Sequence, residues 1–244
     1  MRISQFLLTV TVLFALLLCL EKPVNAQMLE RSYQLGGGTY TMQSLKNLQD
    51  DVQQGSSPIY LRSTKNFPTY FTFELKLGRA YRNIFRGAFL RMESTGSRLS
   101  YSDRTGFVAY DQIASALMIG AYMKIPIRVK DDFDLRTDPH LYYEPRLGLV
   151  FNYVEFISKS RIMDSSSKSV TDAVSMGLMT MHSIGYNMSY KRLNFAPFLG
   201  VLIDPIERPL HLTDNRKAVL LTQDNEKLRT RWLGLRFGIE LSLR

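Results

Sequence analysis

From Arg231 to Leu243 the chain alternates without a break. Leu233, Leu235, Phe237, Ile239, Leu241 and Leu243 share one parity, and Trp232, Gly234, Arg236, Gly238, Glu240 and Ser242 the other. A period of two puts successive side chains on opposite faces of an extended strand, which excludes a helix here. The same pattern runs from His140 to Tyr153, where Leu141, Tyr143, Leu147, Leu149, Phe151 and Tyr153 oppose Tyr142, Glu144, Arg146, Gly148 and Asn152. It returns from Leu117 to Ile127 and from Phe71 to Gly78. Weaker versions cover Val174–Tyr190, Phe195–Ile203 and Tyr81–Met92; in the last, Arg86 and Arg91 fall on opposite faces and leave its outward side unassigned. Pro145 sits on an apolar parity, where a bulge is expected.

These stretches reach about ten residues, the length a tilted strand needs to cross a bilayer, whereas strands of soluble proteins average about five or six. Their polar faces mix glycine with opposite charges: Glu74 with Lys76, Glu144 with Arg146, Arg236 with Glu240. A small barrel fills its interior with side chains, and glycine beside long charged residues suits that taper. Alternation by itself does not say which face points outward, so a soluble sandwich or lipocalin-like barrel with an apolar inside stands as the competing architecture.

Connectivity tests the barrel independently. Strands near 32–43, 68–78, 81–92, 114–128, 139–154, 174–190, 194–204 and 230–243 leave connections that run long, short, long, middling, long, short, long. That is the parity of an eight-stranded barrel with short turns and both termini at one end, and external loops near 44–67, 93–113, 155–173 and 205–229 at the other. Further strands near Ile59–Arg62 or Ala218–Thr222 would have to come as a pair. In the first loop Met42, Leu45, Leu48 and Val52 recur at three- and four-residue spacing up to Gly55, predicting a short amphipathic helix packed as a cap on the rim.

The N-terminus carries Arg2, an apolar run from Phe6 to Leu20, then Glu21-Lys22-Pro23 and the small-residue site Val24-Asn25-Ala26. This predicts a secretory signal peptide over residues 1–26, because the run is shorter than the roughly 20 residues of a spanning helix. Cys19 follows Leu18 rather than a small residue, which argues against lipoprotein processing. Cleavage after Ala26 removes the only cysteine, so the domain over 27–244 would form no disulfide and no thiolate metal site. It would hold 29 basic against 21 acidic side chains, a net charge of +8. For an exported chain that balance points to outer-membrane lipid and lipopolysaccharide as partners. Nucleic acid is not expected, since no basic run interleaved with aromatics appears. No linker, low-complexity tract or fixed-period repeat divides the 27–244 segment, so one domain is expected.

Further local features are Gly36-Gly37-Gly38-Thr39-Tyr40-Thr41-Met42 before the helical loop, Asn66-Phe67-Pro68 opening a strand, and Ser94-Thr95-Gly96-Ser97-Arg98-Leu99-Ser100-Tyr101-Ser102-Asp103. Together with the export signal they resemble the outer-membrane β-barrel proteins of the Bacteroidetes, within the porin-like small barrels. The resemblance implies a fold, a location and insertion by the outer-membrane assembly machinery, and no particular activity. The chain departs from such barrels in ending Leu241-Ser242-Leu243-Arg244 rather than on an aromatic residue, with Phe237 the nearest.

Candidate chemistry is sparse. His140, His182 and His211 have no metal-ligand spacing on one element, so no metal site and no cofactor are expected. His182 adjoins Ser183, but the two point to opposite faces of a strand and cannot act as a nucleophile–base pair. Asp131, Asp132 and Asp134 read as a solvated acidic turn. Asp204, Glu207, Asp214, Asp224 and Glu226 join His211 in the last loop, where a barrel hydrolase would place acids and a histidine. Arg208, Arg216, Lys217 and Lys227 neutralise that group, and no spacing singles out a carboxylate pair. Gly36–Gly38 read as close packing in the wall. The expectation is therefore an all-β, antiparallel up-and-down transmembrane β-barrel of about eight strands with a short helix in its first external loop. It would be non-enzymatic, without catalytic residues, and structural or surface-binding through its loops to an unidentified ligand. A barrel hydrolase acting on lipid or peptide and a soluble periplasmic ligand carrier are the alternatives.

Overall fold

The computed structural model describes residues 29–244 except 57–60, 64–66, 82–83, 128–137, 164, 191–192, 207, 223 and 244. The signal peptide over 1–26, the run Asp131–Asp134 and Glu207 lie outside the described residues. In chain order the elements are β1 (Leu29–Gly38), α1 (Gln43–Gly55), β2 (Arg62–Ser63), β3 (Thr69–Tyr81), β4 (Ile84–Ser102), β5 (Gly106–Ile127), β6 (His140–Ile162), β7 (Ser165–Tyr190), β8 (Leu193–Ile206), β9 (His211–Leu212) and β10 (Gly234–Leu243).

Eight of the strands close a ring. Each of β3 through β8 pairs antiparallel with its neighbour along the chain, β8 pairs with β10, and β1 pairs with both β10 and β3. The result is a barrel-like sheet in which closure leaves the ring without an open edge. The ladder between the two chain ends continues past the named strands, through Thr39 N–H to the Leu235 carbonyl and Thr41 N–H to the Leu233 carbonyl, both at 3.0 Å. The short strands stand outside the ring, β2 on β4 and β9 on β7. Ala218–Thr222, a candidate for a further strand, makes isolated bridges at Val219 and Leu221.

Two predicted loops are strands. Residues 93–102 pair with 107–116 in unbroken register, and 154–162 pair with 165–173 likewise. β6 and β7 thus run 23 and 26 residues. Their outer thirds are rich in serine, threonine and lysine, so the apolar signal fades although backbone pairing continues. A hydrophobicity pattern reports where one face is apolar, not where the ladder stops. The predicted bulge at Pro145 is also absent. Tyr143 faces Ile184 and Arg146 faces Met181 in one register, and the proline interrupts pairing toward β5 without shifting it. The register shifts lie between Thr69 and Phe71 and between Leu178 and Thr180.

The two faces of the wall divide sharply. Glu74, Lys76, Arg91, Glu93, Lys124, Glu144, Arg146, Arg236 and Glu240 all point inward and are at most 3% exposed. On the opposite parity Leu147 is 62% exposed, Leu199 59%, Phe237 54% and Ile239 52%. β4, whose direction the sequence left open, sends Phe85, Phe89, Arg91 and Glu93 inward and Arg86 and Ala88 outward.

Candidate functional site

The inward parity of five strands builds one ion-pair network across the lumen. Lys76 Nζ on β3 donates to Glu144 Oε1 on β6 at 2.6 Å and to Glu240 Oε2 on β10 at 2.6 Å. Lys124 on β5 reaches the other Glu240 oxygen at 2.7 Å. Arg146 donates to Glu144 at 2.6 Å and to Glu74 at 2.6 Å, and Arg91 reaches Glu74 at 3.0 Å. Arg91 also donates to Glu93, which Arg236 holds at 2.9 Å. Five cations and four carboxylates are joined in this way. Charges this far from water persist only when paired and hydrogen-bonded, which the network provides. Each carboxylate is engaged by a fixed cation, and the nine charged side chains lie buried together inside the ring.

The predicted pairings hold in part. Glu144 with Arg146 is a direct pair, and Glu74 lies 3.7 Å from Lys76. Arg236, by contrast, pairs with Glu93 on β4, while Glu240 pairs with Lys76 and Lys124. Residues two apart on a strand share a face, but the ring curvature brings side chains from non-adjacent strands closer than those partners. Glu93 carried no signal beyond its charge, because it fell in a segment read as loop.

Glycines on the inward parity receive the rings. A Cβ at Gly185 would meet the ring of Tyr142 from the adjacent strand, and a Cβ at Gly78 the hydroxyl of Tyr122. Gly36 and Gly38 lie against the Phe237 and Leu235 carbonyls, the close packing the sequence suggested.

Above the charged belt an apolar cluster closes the end that carries the long loops. Trp232 is fully buried, donates Nε1–H to Asn152 Oδ1 at 2.7 Å and meets Tyr40 edge-on at 5.3 Å. The Arg236 guanidinium stacks over Tyr40 at 4.5 Å and donates to the Thr39 and Trp232 carbonyls at 2.8 Å, tying belt to cap. Helix α1 contributes Leu45, buried in this cluster, and Gln49, whose amide reaches Gln112 of β5 at 3.3 Å. The rim cap expected from the helical spacing is thus in place. Met42 begins the helix in a left-handed conformation, φ 43°, with its side chain fully buried among Leu45 and its neighbours. That burial offsets a backbone strain of roughly 1–3 kcal/mol.

The histidines are dispersed. His140 donates Nδ1–H to the Asp138 carbonyl at 2.7 Å, and His211 donates likewise to the Arg216 carbonyl at 2.8 Å. His182 faces outward between Tyr143 Oη at 2.6 Å and Thr180 Oγ1 at 3.0 Å. Ser183 points the other way, toward the Glu144 carbonyl at 3.3 Å. The last-loop acids do not gather either: Asp204 is buried on β8 facing Gly177, while Asp214, Asp224 and Glu226 are exposed. No group of three or more potential metal-binding side chains occurs among the described residues.

The β4–β5 hairpin ends in a tight acid-centred turn. Asp103 Oδ1 accepts from the Thr105 hydroxyl at 2.7 Å, the Thr105 N–H at 2.8 Å and the Gly106 N–H at 3.1 Å. The Thr105 hydroxyl and N–H, with help from Tyr101, hold its carboxyl below the usual carboxylate range. Behind the turn, Arg98 and Lys159 converge on Asp111.

No protein-family model and no curated protein matches this sequence.

Proposed function

We propose that the chain is a non-enzymatic outer-membrane β-barrel that displays its long hairpins and helix-capped mouth as a structural or ligand-binding surface. One observation carries this reading: nine charged side chains are buried inside the ring beside an apolar cluster, while large apolar side chains stand exposed on its outside, the reverse of the polar outer face of a soluble barrel. On β6 the outward band runs from Leu141 through Leu147, Leu149 and Phe151 to Tyr153, and Glu155 follows. At a strand rise of about 3.3 Å and a tilt of roughly 40° that band is about 30 Å tall, the thickness of a bilayer core. Its upper border is one cross-strand row, Ser94, Ser115, Tyr153 and Val174, and the next row opposes Glu155 to Asp172.

The remaining elements fit this reading. The start of β1 at Leu29, the end of β10 at Leu243 and the short turns would face the periplasm. α1, the β4–β5 and β6–β7 hairpins and the 207–233 segment would face outward, among lipopolysaccharide. Residues 1–26 would direct export, and the assembly machinery would insert the barrel, as in the Bacteroidetes proteins whose local features the chain resembles. A carrier of apolar ligands would need an open apolar lumen, and the lumen here is crossed by an ion-pair network. A hydrolase would need a base beside its nucleophile, and His182 and Ser183 occupy opposite faces.

Membrane fractionation followed by gel migration with and without boiling tests the reading. A detergent-extracted band that runs faster unboiled is expected. Recovery in the soluble periplasmic extract, with no heat-dependent shift, would overturn it.

A further inference from the structure

Above the row Ser94, Ser115, Tyr153 and Val174 only part of the ring continues. β3 ends its pairing with β4 at Thr95, and β8 ends its pairing with β7 at Leu178. β4, β5, β6 and β7 run on as a four-stranded sheet to Ser102, Gly106, Ile162 and Ser165. One edge of this sheet, β4, carries β2 at Leu99 and Ser100. The other, β7, is covered at its base, where β9 pairs with Ala173 and Val174 and the Thr213 N–H donates to the Asp172 carbonyl at 3.0 Å. Beyond Asp172, Ser165–Thr171 pair with β6 alone among the described residues, and all seven are exposed.

Asp172 fixes which backbone groups are open. Successive residues of a strand turn their N–H and C=O to alternate sides, and the Asp172 carbonyl points away from β6 toward Thr213. Val170, Lys168 and Ser166 share its parity, so their N–H and C=O groups line the open side. The seven-residue edge is roughly 23 Å long at the rise of a strand. A row of such unpaired groups is a template for one more strand.

Charge decides the occupant. On the outward face Lys168 lies opposite Lys159, and Arg161 lies opposite Ser166 in the next row. Lys159 is held by Asp111 at 3.2 Å, whereas neither Lys168 nor Arg161 has an ion pair among the described residues. A second copy is a poor occupant. Two β7 edges paired antiparallel through Ser166, Lys168 and Val170 would set Lys168 against Lys168, and like charges directly opposite are destabilising. A strand with a carboxylate at that position meets Lys168 directly. A second carboxylate opposite Ser166 falls on the row of Arg161, with only the short serine side chain between them.

We propose that the open edge of β7, Ser165–Thr171, docks an extended acidic peptide segment of a partner protein as a fifth strand, with its carboxylates on the outward face. Backbone hydrogen bonds supply affinity in such strand addition, and alternate side chains supply selectivity. The inference rests on the reading of the hairpins as a binding surface and adds the partner class and the residues that hold it.

Peptide titration tests it. The full barrel, folded in detergent, is titrated into a fluorescein-labelled peptide Thr-Glu-Thr-Glu-Thr-Glu-Thr and into its counterpart with lysine for glutamate, with fluorescence anisotropy as the readout. Saturable binding of the glutamate peptide and none of the lysine peptide is expected. Val170→Pro deletes an N–H on the open side, costs no hydrogen bond to β6 and keeps every charge. It should weaken binding about fivefold, the scale of one hydrogen bond. Lys168→Glu should invert the preference between the two peptides. No binding of the glutamate peptide by the wild-type barrel, or an affinity unchanged in Val170→Pro, would overturn strand addition at this edge. The heat-dependent gel shift, run on each sample, separates the two readings: a heat-modifiable barrel that binds neither peptide defeats this inference and leaves the outer-membrane reading standing.

Discussion

Arg236 on β10 grips Glu93 on β4 through both nitrogens of its fork, Nε at 2.9 Å and Nη2 at 2.9 Å, across a lumen in which the two strands are separated along the ring by β1 and β3. A planar guanidinium meeting a carboxylate in this way fixes orientation as well as distance. The contact therefore braces the ring internally, at the level where the charged belt meets the apolar cap.

Removing one partner leaves a buried charge. Glu93→Gln is expected to destabilise the barrel by about 3–5 kcal/mol, whereas the double substitution Glu93→Gln, Arg236→Met recovers a large part of that loss. Urea unfolding followed by the gel shift measures both. A single variant as stable as wild type would show that the pair does not brace the ring.

The network also places nine buried charged side chains between the walls of the ring. Wild-type protein in a planar bilayer should give no steady porin-like conductance. Lys76→Ala combined with Arg146→Ala removes two long side chains from the centre and should introduce a measurable leak. Large wild-type conductance would contradict a filled interior.

The Tyr142–Gly185 packing leaves no room for a methyl group. Gly185→Ala should cost about 1–3 kcal/mol through displacement of the ring, and Gly185→Ala with Tyr142→Ala should cost less than the two single changes added together. Strict additivity in that cycle would mean the ring and the glycine do not depend on each other.

Asp103 organises the exposed tip of the β4–β5 hairpin. Its carboxyl is held below the ordinary value, so its contribution is present above that value of 3.8 and is lost as pH falls through the lowered one. Asp103→Asn should loosen the tip at neutral pH as strong acid does in the wild type. Trypsin cleavage after Arg104, faster in Asp103→Asn at pH 7, would register it, and equal rates would mean that the backbone pairing alone holds the turn.

Strand periodicity by itself dictates much of this architecture. Leu235, Phe237 and Ile239 were bound to share a face opposite Arg236 and Glu240, because that follows from local backbone geometry. The helix at Gln43–Gly55 was legible from Met42, Leu45 and Leu48 for the same reason. Three things were not legible. The outer thirds of β4–β7 lack an apolar face, so their pairing left no trace in hydrophobicity. Arg236 chose Glu93 over Glu240, since partners across a curved lumen are set by the diameter and tilt of the closed ring. And nothing in the alternation said which parity would be inside. That was decided by closure: the ring buries Lys76, Glu144 and Arg146 where each finds an opposite charge within hydrogen-bond distance, and it leaves Leu147 and Phe237 turned outward. Sequence determined the two faces of every strand. Only the tertiary structure, by bringing distant charges together, determined which face is the interior.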